Sequence, residues 1–445
     1  MANTAAGITL DRRSSSSLRQ VIFASFIGTT IEWYDFFLYG TAAALVFNKL
    51  FFPNINPVAG TLSAFGTFAV GFIARPIGGA LFGHYGDRVG RKSMLVHSLL
   101  IMGIATFIIG ILPTYHSIGI FAPGLLVVLR FAQGIGVGGE WGGAVLMAVE
   151  HSKKGKRGFY GSWPQMGVPA GLLLSTLIYT VLSSRLTESQ FLQWGWRIPF
   201  LLSIVLIGVG LFVRLSLLET PAFTRLKLQS GETRQPVLEV IRSHTKNLLL
   251  GIGMRFVQNG TFYIYTVFVL TYGEKYLKLP RNTMLLGVLI AATVGLFSIP
   301  FYGALSDRVG RRPVYLAGAV LTVLYAFPFF WLLNLRSEPI IWLAIVLGLN
   351  VFQDAMYGPQ AAYLSELFGT QVRYSGASLS YQLSSTVSGG FAPLIATALL
   401  AAWGPNAVAA YIVAMGLITV VSTYLASETY QQEIDESDLK EREEP

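Results

Sequence analysis

Long apolar runs constrain this chain more than any other feature. At the roughly twenty residues that one helical crossing of a hydrocarbon core needs, about twelve runs can be read. The first six lie near 21–48, 59–82, 94–112, 119–147, 159–183 and 198–217, and the second six near 247–272, 284–304, 314–334, 340–364, 376–402 and 406–426. A bilayer core offers no water to backbone N–H and C=O groups, so a run of this kind can cross it only as a helix. Composition agrees, because 53% hydrophobic and 12% charged residues leave too little polar surface to clothe a soluble chain of 445 residues. The first run follows the polar stretch Asp11 to Ser17 and is too long for the core of a cleaved signal peptide, so it is expected to be retained. With no cysteine, the chain has no thiolate metal site, cysteine nucleophile or thiol switch.

The net charge of +9 sits mostly in short loops between the runs, where it orients the chain rather than binding nucleic acid. Arg12, Arg13, Arg19, Arg88, Arg91, Lys92, Lys153, Lys154, Lys156, Arg157, Arg308, Arg311, Arg312 and Arg373 fall on one side. The other side offers little beyond Lys49, Arg185, Lys275, Lys278, Arg281 and Arg336. The positive-inside rule then predicts a multi-pass protein with both termini in the cytoplasm. The expected division is a cytoplasmic segment 1–20, a six-helix unit 21–217, a polar linker 218–246, a second six-helix unit 247–427 and an acidic, solvated tail 428–445.

The two halves repeat. Gly83-His84-Tyr85-Gly86-Asp87-Arg88-Val89-Gly90-Arg91-Lys92 after the second run matches Gly303-Ala304-Leu305-Ser306-Asp307-Arg308-Val309-Gly310-Arg311-Arg312 after the eighth, each residue 220 positions after its counterpart. Glu150 and Arg157 likewise match Glu366 and Arg373. Duplicated loops at equivalent places indicate a duplicated unit, an architecture common among secondary transporters. The aspartates can pair with an arginine or accept from the amides at a neighbouring helix end, and so latch two helices in one conformation. Gly83, Asp87, Arg88, Gly90 and Arg91, with Gly303, Asp307, Arg308, Gly310 and Arg311, are the latch residues this reading selects. Gly90 and Gly310 equally suit tight turns that merely set topology.

These paired loops, with Arg130-Phe131-Ala132-Gln133-Gly134 in the fourth run, resemble the major facilitator superfamily over the whole chain. Ile31 to Gly40 (IEWYDFFLYG), Ala74 to Gly79 (ARPIGG), Gly139 to Gly143 (GEWGG) and Glu366 to Gly376 (ELFGTQVRYSG) are similar to the metabolite:proton symporter family, nearest its shikimate-transporter-like branch. The resemblance implies an all-α integral membrane fold of twelve helices in two pseudo-symmetric bundles of six. It also implies a non-enzymatic symporter in the bacterial inner membrane that takes up a small organic acid or related polar metabolite with protons. The alternative within that pattern is a symporter of zwitterionic osmolytes of the betaine or proline kind. A polytopic membrane enzyme would need a nucleophile or metal cluster that the sequence does not display, and a passive channel would have no use for duplicated latches.

Ionisable residues inside the runs are costly and so are functional candidates. Counted from the cytoplasmic ends at ~1.5 Å per residue, Glu32 and Asp35 fall roughly 18–23 Å deep, Arg75 roughly 18 Å and Glu140 roughly 15 Å. Three residues apart on one helix, Glu32 and Asp35 are expected to share a face. Asp35, Glu32, Glu140, Arg75 and Arg130 therefore form the expected proton-coupling group, with Asp35 foremost and a static charge network as the plainer reading. In the second half, Arg255 and Asp354 are the clear intramembrane charges, and Arg255 stands 220 positions after Asp35. Arg255 suits bidentate capture of a carboxylate, or else an internal pair with Asp354. Arg255, Asn259, Tyr263, Gln353, Asp354, Tyr357 and Gln165 are the expected substrate residues, fitting a hydroxylated polar solute, though each could instead bridge helices.

The expected partners are the substrate, protons and the lipid bilayer, without nucleic acid, in a monomer. No cofactor beyond the coupling proton is called for. The five histidines show no metal-ligand spacing. Gly134-Ile135-Gly136-Val137-Gly138-Gly139 has the dinucleotide G-x-G-x-x-G pattern but lies in an apolar run with no preceding strand, where close helix packing explains it better.

Overall fold

A computed structural model describes residues 18–89, 91–138, 155–216, 236–368 and 373–431, together with 141, 145, 148, 149 and 152. The side chains of 83–95 lie outside that description, as does the whole of Glu140. Among the described residues, twelve long helices build the fold. The first six are α1 (Leu18–Ala42), α2 (Pro57–Val89), α3 (Arg91–Ile111), α4 (Phe121–Gly138), α5 (Arg157–Arg185) and α6 (Arg197–Ser216). The second six are α7 (Thr245–Tyr263), α8 (Arg281–Val309), α9 (Arg311–Asn334), α10 (Glu338–Glu366), α11 (Arg373–Ser384 continued by Ala392–Trp403) and α12 (Pro405–Leu425).

Eight of the described helices are long and apolar enough to cross a membrane by length and composition alone. Val96–Ile111 of α3 is a shorter apolar helix among the described residues. Helix α1 holds Glu32 and Asp35, and α6 is entered through a 40° bend. Wide π turns extend or interrupt α1 (Ala43–Phe47), α7 (Ile264–Phe268), α10 (Leu347–Gln353) and α11 (Ser385–Gly390). Such turns release backbone groups and redirect side chains, and they concentrate at functional places.

The duplication seen in the sequence is repeated in the packing. Helix pairs α1–α5, α2–α4 and α3–α6 recur in the second bundle as α7–α11, α8–α10 and α9–α12. The bundles meet along two seams, α5 against α8 and α2 against α11, which the same pseudo-two-fold relation exchanges. Lipid-facing positions are apolar and exposed, among them Phe212, Phe297, Leu324 and Trp403. Small residues let backbones touch where the bundles are tightest. A Cβ at Gly134 would stand 2.1 Å from the Gly71 carbonyl oxygen, and one at Gly138 would stand 2.1 Å from that of Arg75. The glycine run of α4 is thus the contact surface for α2, and this contact holds Arg75 and Arg130 at the centre.

The segment after α12 departs from the solvated tail expected from residue 428 onward. Glu428 accepts from the backbone amides of Arg311 (2.9 Å) and Arg312 (3.0 Å), and the Thr429 hydroxyl is buried and donates to Glu366 (2.7 Å). The first amides of a helix have no partner within it, so a carboxylate here satisfies and charge-stabilises the start of α9.

Because the α2–α4 contact is backbone to backbone, no side-chain adjustment can make room in it. Gly134→Leu is expected to lower the amount of monodisperse protein recovered in detergent at least several-fold relative to Gly124→Leu, since Gly124 has open space around its Cβ position. Size-exclusion profiles of the two variants check this.

Candidate functional site

Three arginines converge where the bundles meet: Arg75 of α2, Arg130 of α4 and Arg255 of α7, each at most 1% exposed. Aromatic faces cradle them. The Phe36 ring of α1 lies 4.4 Å from the Arg75 guanidinium carbon and 4.3 Å from that of Arg130. Phe72 adds a second face to Arg75 at 4.4 Å, and Tyr39 one to Arg130 at 4.2 Å. Ring quadrupoles of this kind offset part of a buried cation's lost hydration. Tyr263 of α7 stands among all three arginines, its ring packed on Phe36, Phe68 and Phe72.

Arg255 is held from the α11 side. It donates to the Tyr381 carbonyl and to the Ser385 hydroxyl (2.9 Å), and its guanidinium carbon lies 3.5 Å from the centroid of the Tyr381 ring. That ring stacks at 3.8 Å on Trp141 from the other bundle, so an Arg–Tyr–Trp column crosses the interface. Tyr357 lies close to Arg255 and Tyr381, and Gln165 of α5 donates to the Tyr357 carbonyl. Glu32 is the described acid on the Tyr381 side of the cluster. Arg75 Nε and Nη2, Arg130 Nη2, Arg255 Nε and the Tyr263 hydroxyl have no hydrogen-bond partner among the described residues. Buried donors left without acceptors around Tyr263 could be satisfied by a ligand rich in acceptors, a carboxylate above all.

Other expected residues stand elsewhere. Asp35 does not join Arg75: it is fully buried beside Thr106 of α3. Three residues turn a helix through about 300°, leaving Glu32 and Asp35 about 60° apart. That is enough for one to face the centre while the other faces α3. The Thr106 hydroxyl donates to the Met102 carbonyl (2.9 Å) and accepts from Gln133 (2.7 Å), and Gln133 in turn accepts from Arg130 (3.1 Å). A polar path thus runs from Asp35 to Arg130, although neither Asp35 oxygen has a hydrogen-bond partner among the described residues.

Asp354 does not pair with Arg255 or face the substrate cluster. It lies against α8, accepting from Ser298 and Asn350. Asn259 bridges to Ser388 of α11 (3.2 Å), and Gln353 is buried in the π turn of α10.

At the face carrying the termini, Asp307 accepts from the amides of Gly158 (2.8 Å) and Phe159 (2.9 Å) at the start of α5 and from Arg311 (2.7 Å). Arg311 also forks onto both oxygens of Glu366, at 3.2 Å each. One carboxylate therefore ties the second bundle to the exposed amides of a helix in the first. Gly303 packs against the Gly158 carbonyl, and Gly310 turns at φ +113°, where a Cβ would meet the Glu428 carboxylate at 2.7 Å. Arg308 is exposed. Of the matching loop, Gly90 lies outside the described residues, and for Gly83, Asp87, Arg88 and Arg91 only the helical backbone is described.

Sequence reasoning missed the closure at the opposite face. Lys49 pairs with Glu188 (3.0 Å) and Glu274 (3.5 Å), and Arg281 pairs with the same two carboxylates at 3.1 and 3.6 Å. Lys49 and Glu188 belong to the first bundle, and Glu274 and Arg281 to the second. Lys275, whose ammonium burial pushes down to about 8, donates across the same seam to Thr61. The available signal was that Glu188 and Glu274 share loops with the few basic residues of that side. For the docked tail, it was the repetition of Glu219-Thr220 after the sixth run as Glu428-Thr429 after the twelfth.

Residues 21–384 match the Major Facilitator Superfamily. The chain belongs to that superfamily. It is 44% identical to the shikimate transporter of Escherichia coli K12 over 422 residues, covering 94% of this chain and 96% of the relative. The inner membrane metabolite transport protein YhjE of the same organism is 43% identical over 440 residues, covering 97% and 100%. The E. coli K12 proline/betaine transporter is 37% identical over 87% of this chain and 77% of the relative. Among solved structures, the proton:xylose symporter XylE bound to 6-bromo-6-deoxy-D-glucose superposes with a TM-score of 0.72 at 18% identity, covering 95% and 98%. That likeness is one of fold. With relatives named as transporters across nearly the whole chain, this major facilitator is a metabolite transporter and not an enzyme.

In the superfamily fold, bundles tied at both faces must release one face at a time. Asp307→Asn removes the charge that holds Arg311 and one of the two amide-accepting oxygens. A cysteine introduced at Ser162, buried behind this contact, is therefore expected to react with a thiol reagent several-fold faster in the Asp307→Asn background than with Asp307 intact. Equal labelling rates would show that the contact does not close the face.

Proposed function

We propose that this chain is a proton-coupled symporter that carries small organic acids into the cytoplasm across the inner membrane by alternating access. The observation that supports the reading is the three-arginine centre around Tyr263, whose donors include several without a hydrogen-bond partner among the described residues. An anion bound there supplies the missing acceptors and lowers the charge of the buried cluster. Tyr263 and Tyr381 can serve hydroxyl groups on the same solute. A hydroxylated ring acid such as shikimate is the first substrate to assay. The proline/betaine relative raises the zwitterion alternative. A quaternary ammonium needs free aromatic faces, and here Phe36, Phe72 and Tyr381 already carry guanidiniums.

The basic loops favour cytoplasmic termini, which makes the Asp307 contact the cytoplasmic gate and the Lys49–Glu188–Arg281–Glu274 ring the external one. Asp35 is the proton carrier in this reading. Ionised, its buried carboxylate has no compensating donor. Neutral, it can donate to the lone pair that Thr106 keeps free, whose own proton is committed to Met102. The path through Gln133 to Arg130 links proton loading to the guanidinium cluster that receives the substrate.

Two measurements test the reading. Arg255→Gln removes a desolvated charge-assisted contact of the kind worth about 2–5 kcal/mol, so shikimate binding to purified protein should weaken at least thirtyfold. Unchanged affinity would remove Arg255 from the site. Asp35→Asn keeps the shape of the side chain but carries no titrating proton. In vesicles, accumulation driven by an imposed pH gradient should fall about tenfold for each unit of gradient, while exchange between substrate-loaded compartments continues. Accumulation equal to that with Asp35 would move the proton to Glu32 or Glu140.

A further inference from the structure

Asp354 is a buried acid that the centre does not use. It is 4% exposed, lies in the second bundle where Asp35 lies in the first, and is the first residue after the π turn Leu347–Gln353. The wide turn aligns Asn350 and Asp354 toward α8. There the Asn350 amide (2.9 Å) and the Ser298 hydroxyl both donate to Oδ2, and no cation pairs with the carboxylate among the described residues. Its titratable neighbour is Tyr302 of α8, whose hydroxyl donates to the Val351 carbonyl (3.0 Å). On the α9 side Tyr325 packs on Phe352 and donates to the Ala344 carbonyl. From α5 comes Pro169: a Cβ at Gly295 of α8 would lie 3.1 Å from Pro169 and 3.4 Å from the Asn350 amide. Neutral groups thus surround Asp354, and its Asn350 partner stands at the α5–α8 seam between the bundles.

Resting on the proton-coupled reading above, we infer that Asp354 is a second proton-carrying site, so that two protons accompany each substrate. The acid is shielded while α5 lies on α8 and gains water when the seam parts. An O–H bond forms on Asp354 with a proton from the external water and breaks to the cytoplasmic water after the bundles have rocked. The Ser298 and Asn350 donors stabilise the carboxylate in the interval between release and reloading. With one proton on Asp35 and one on Asp354, a monoanionic substrate enters with one net positive charge.

The test is the dependence of steady-state accumulation on the imposed pH difference, in proteoliposomes with the membrane potential clamped at zero and radiolabelled shikimate as the probe. Each coupled proton contributes about tenfold per pH unit. The native chain is expected to accumulate about 100-fold per unit, Asp354→Asn and Asp35→Asn about tenfold each, and the double variant not at all. A native value of about tenfold overturns the second site while leaving proton coupling intact, and a native value independent of the gradient overturns the symport reading itself. An Asp354→Asn value of about 100-fold also overturns this assignment. Should Asp354→Asn fail to fold, the native chain still decides: two protons require an inside-negative potential to drive accumulation without a pH difference, and no response to potential overturns the proposal.

Discussion

Buried positive charge where the two bundles meet is the constraint on which the rest of this structure depends. Three guanidiniums in a dry interface would repel one another and strain toward water. Ring faces lie against all three, and the Phe68 and Tyr381 carbonyls accept from Arg130 and Arg255. Phe36 serves two of them, Tyr381 serves the third, and Tyr263 stands among all three. The helix contacts follow from this arrangement. Glycines of α4 press α2 close enough to bring Arg75 and Arg130 onto one aromatic ring, and the π turn of α11 brings Ser385 to Arg255.

The two closures differ in kind. At the face carrying the termini, a carboxylate meets backbone amides and a buried arginine, and that arginine is also forked onto Glu366 and overlaid by Glu428 and Thr429. Arg311, Asp307 and Glu366 all belong to the second bundle, so the tie between bundles is Asp307 on the amides of Gly158 and Phe159, hydrogen bonds to a charged group of a kind worth about 1.5–3 kcal/mol each. At the opposite face the pairs involve Glu188, whose side chain is 57% exposed, and exposed pairs of this kind contribute roughly 0–1 kcal/mol each.

Closure also connects the centre to both faces. The Arg255–Tyr381–Trp141 column joins the bundles beside the arginine cluster, and Gln382 of α11 donates to the Gly138 carbonyl of α4 one residue farther along. On the other seam Gln165 reaches the Tyr357 carbonyl. Rocking one bundle against the other must break or carry these contacts together, so a ligand that draws Arg255 away from Tyr381 acts directly on the interface.

The apolar runs, their number and the duplicated loops were legible in the sequence because a bilayer leaves the backbone no alternative to the helix and because a repeat preserves its spacing. The same reasoning found which charges lie inside the membrane, Arg75, Arg130, Arg255, Asp35 and Asp354 among them, since a buried charge is conspicuous in an apolar run. Which of them meet was decided only by the tertiary structure. Depth along a helix is linear in residue number, but direction around it depends on a few tens of degrees and on π turns that leave little trace in composition. That is why Asp35 turned to Thr106 instead of Arg75, and Asp354 to Ser298 instead of Arg255. The ring joining Lys49, Glu188, Glu274 and Arg281 depends likewise on how two bundles sit face to face, a relation between residues 93 and 225 positions apart that no local pattern encodes.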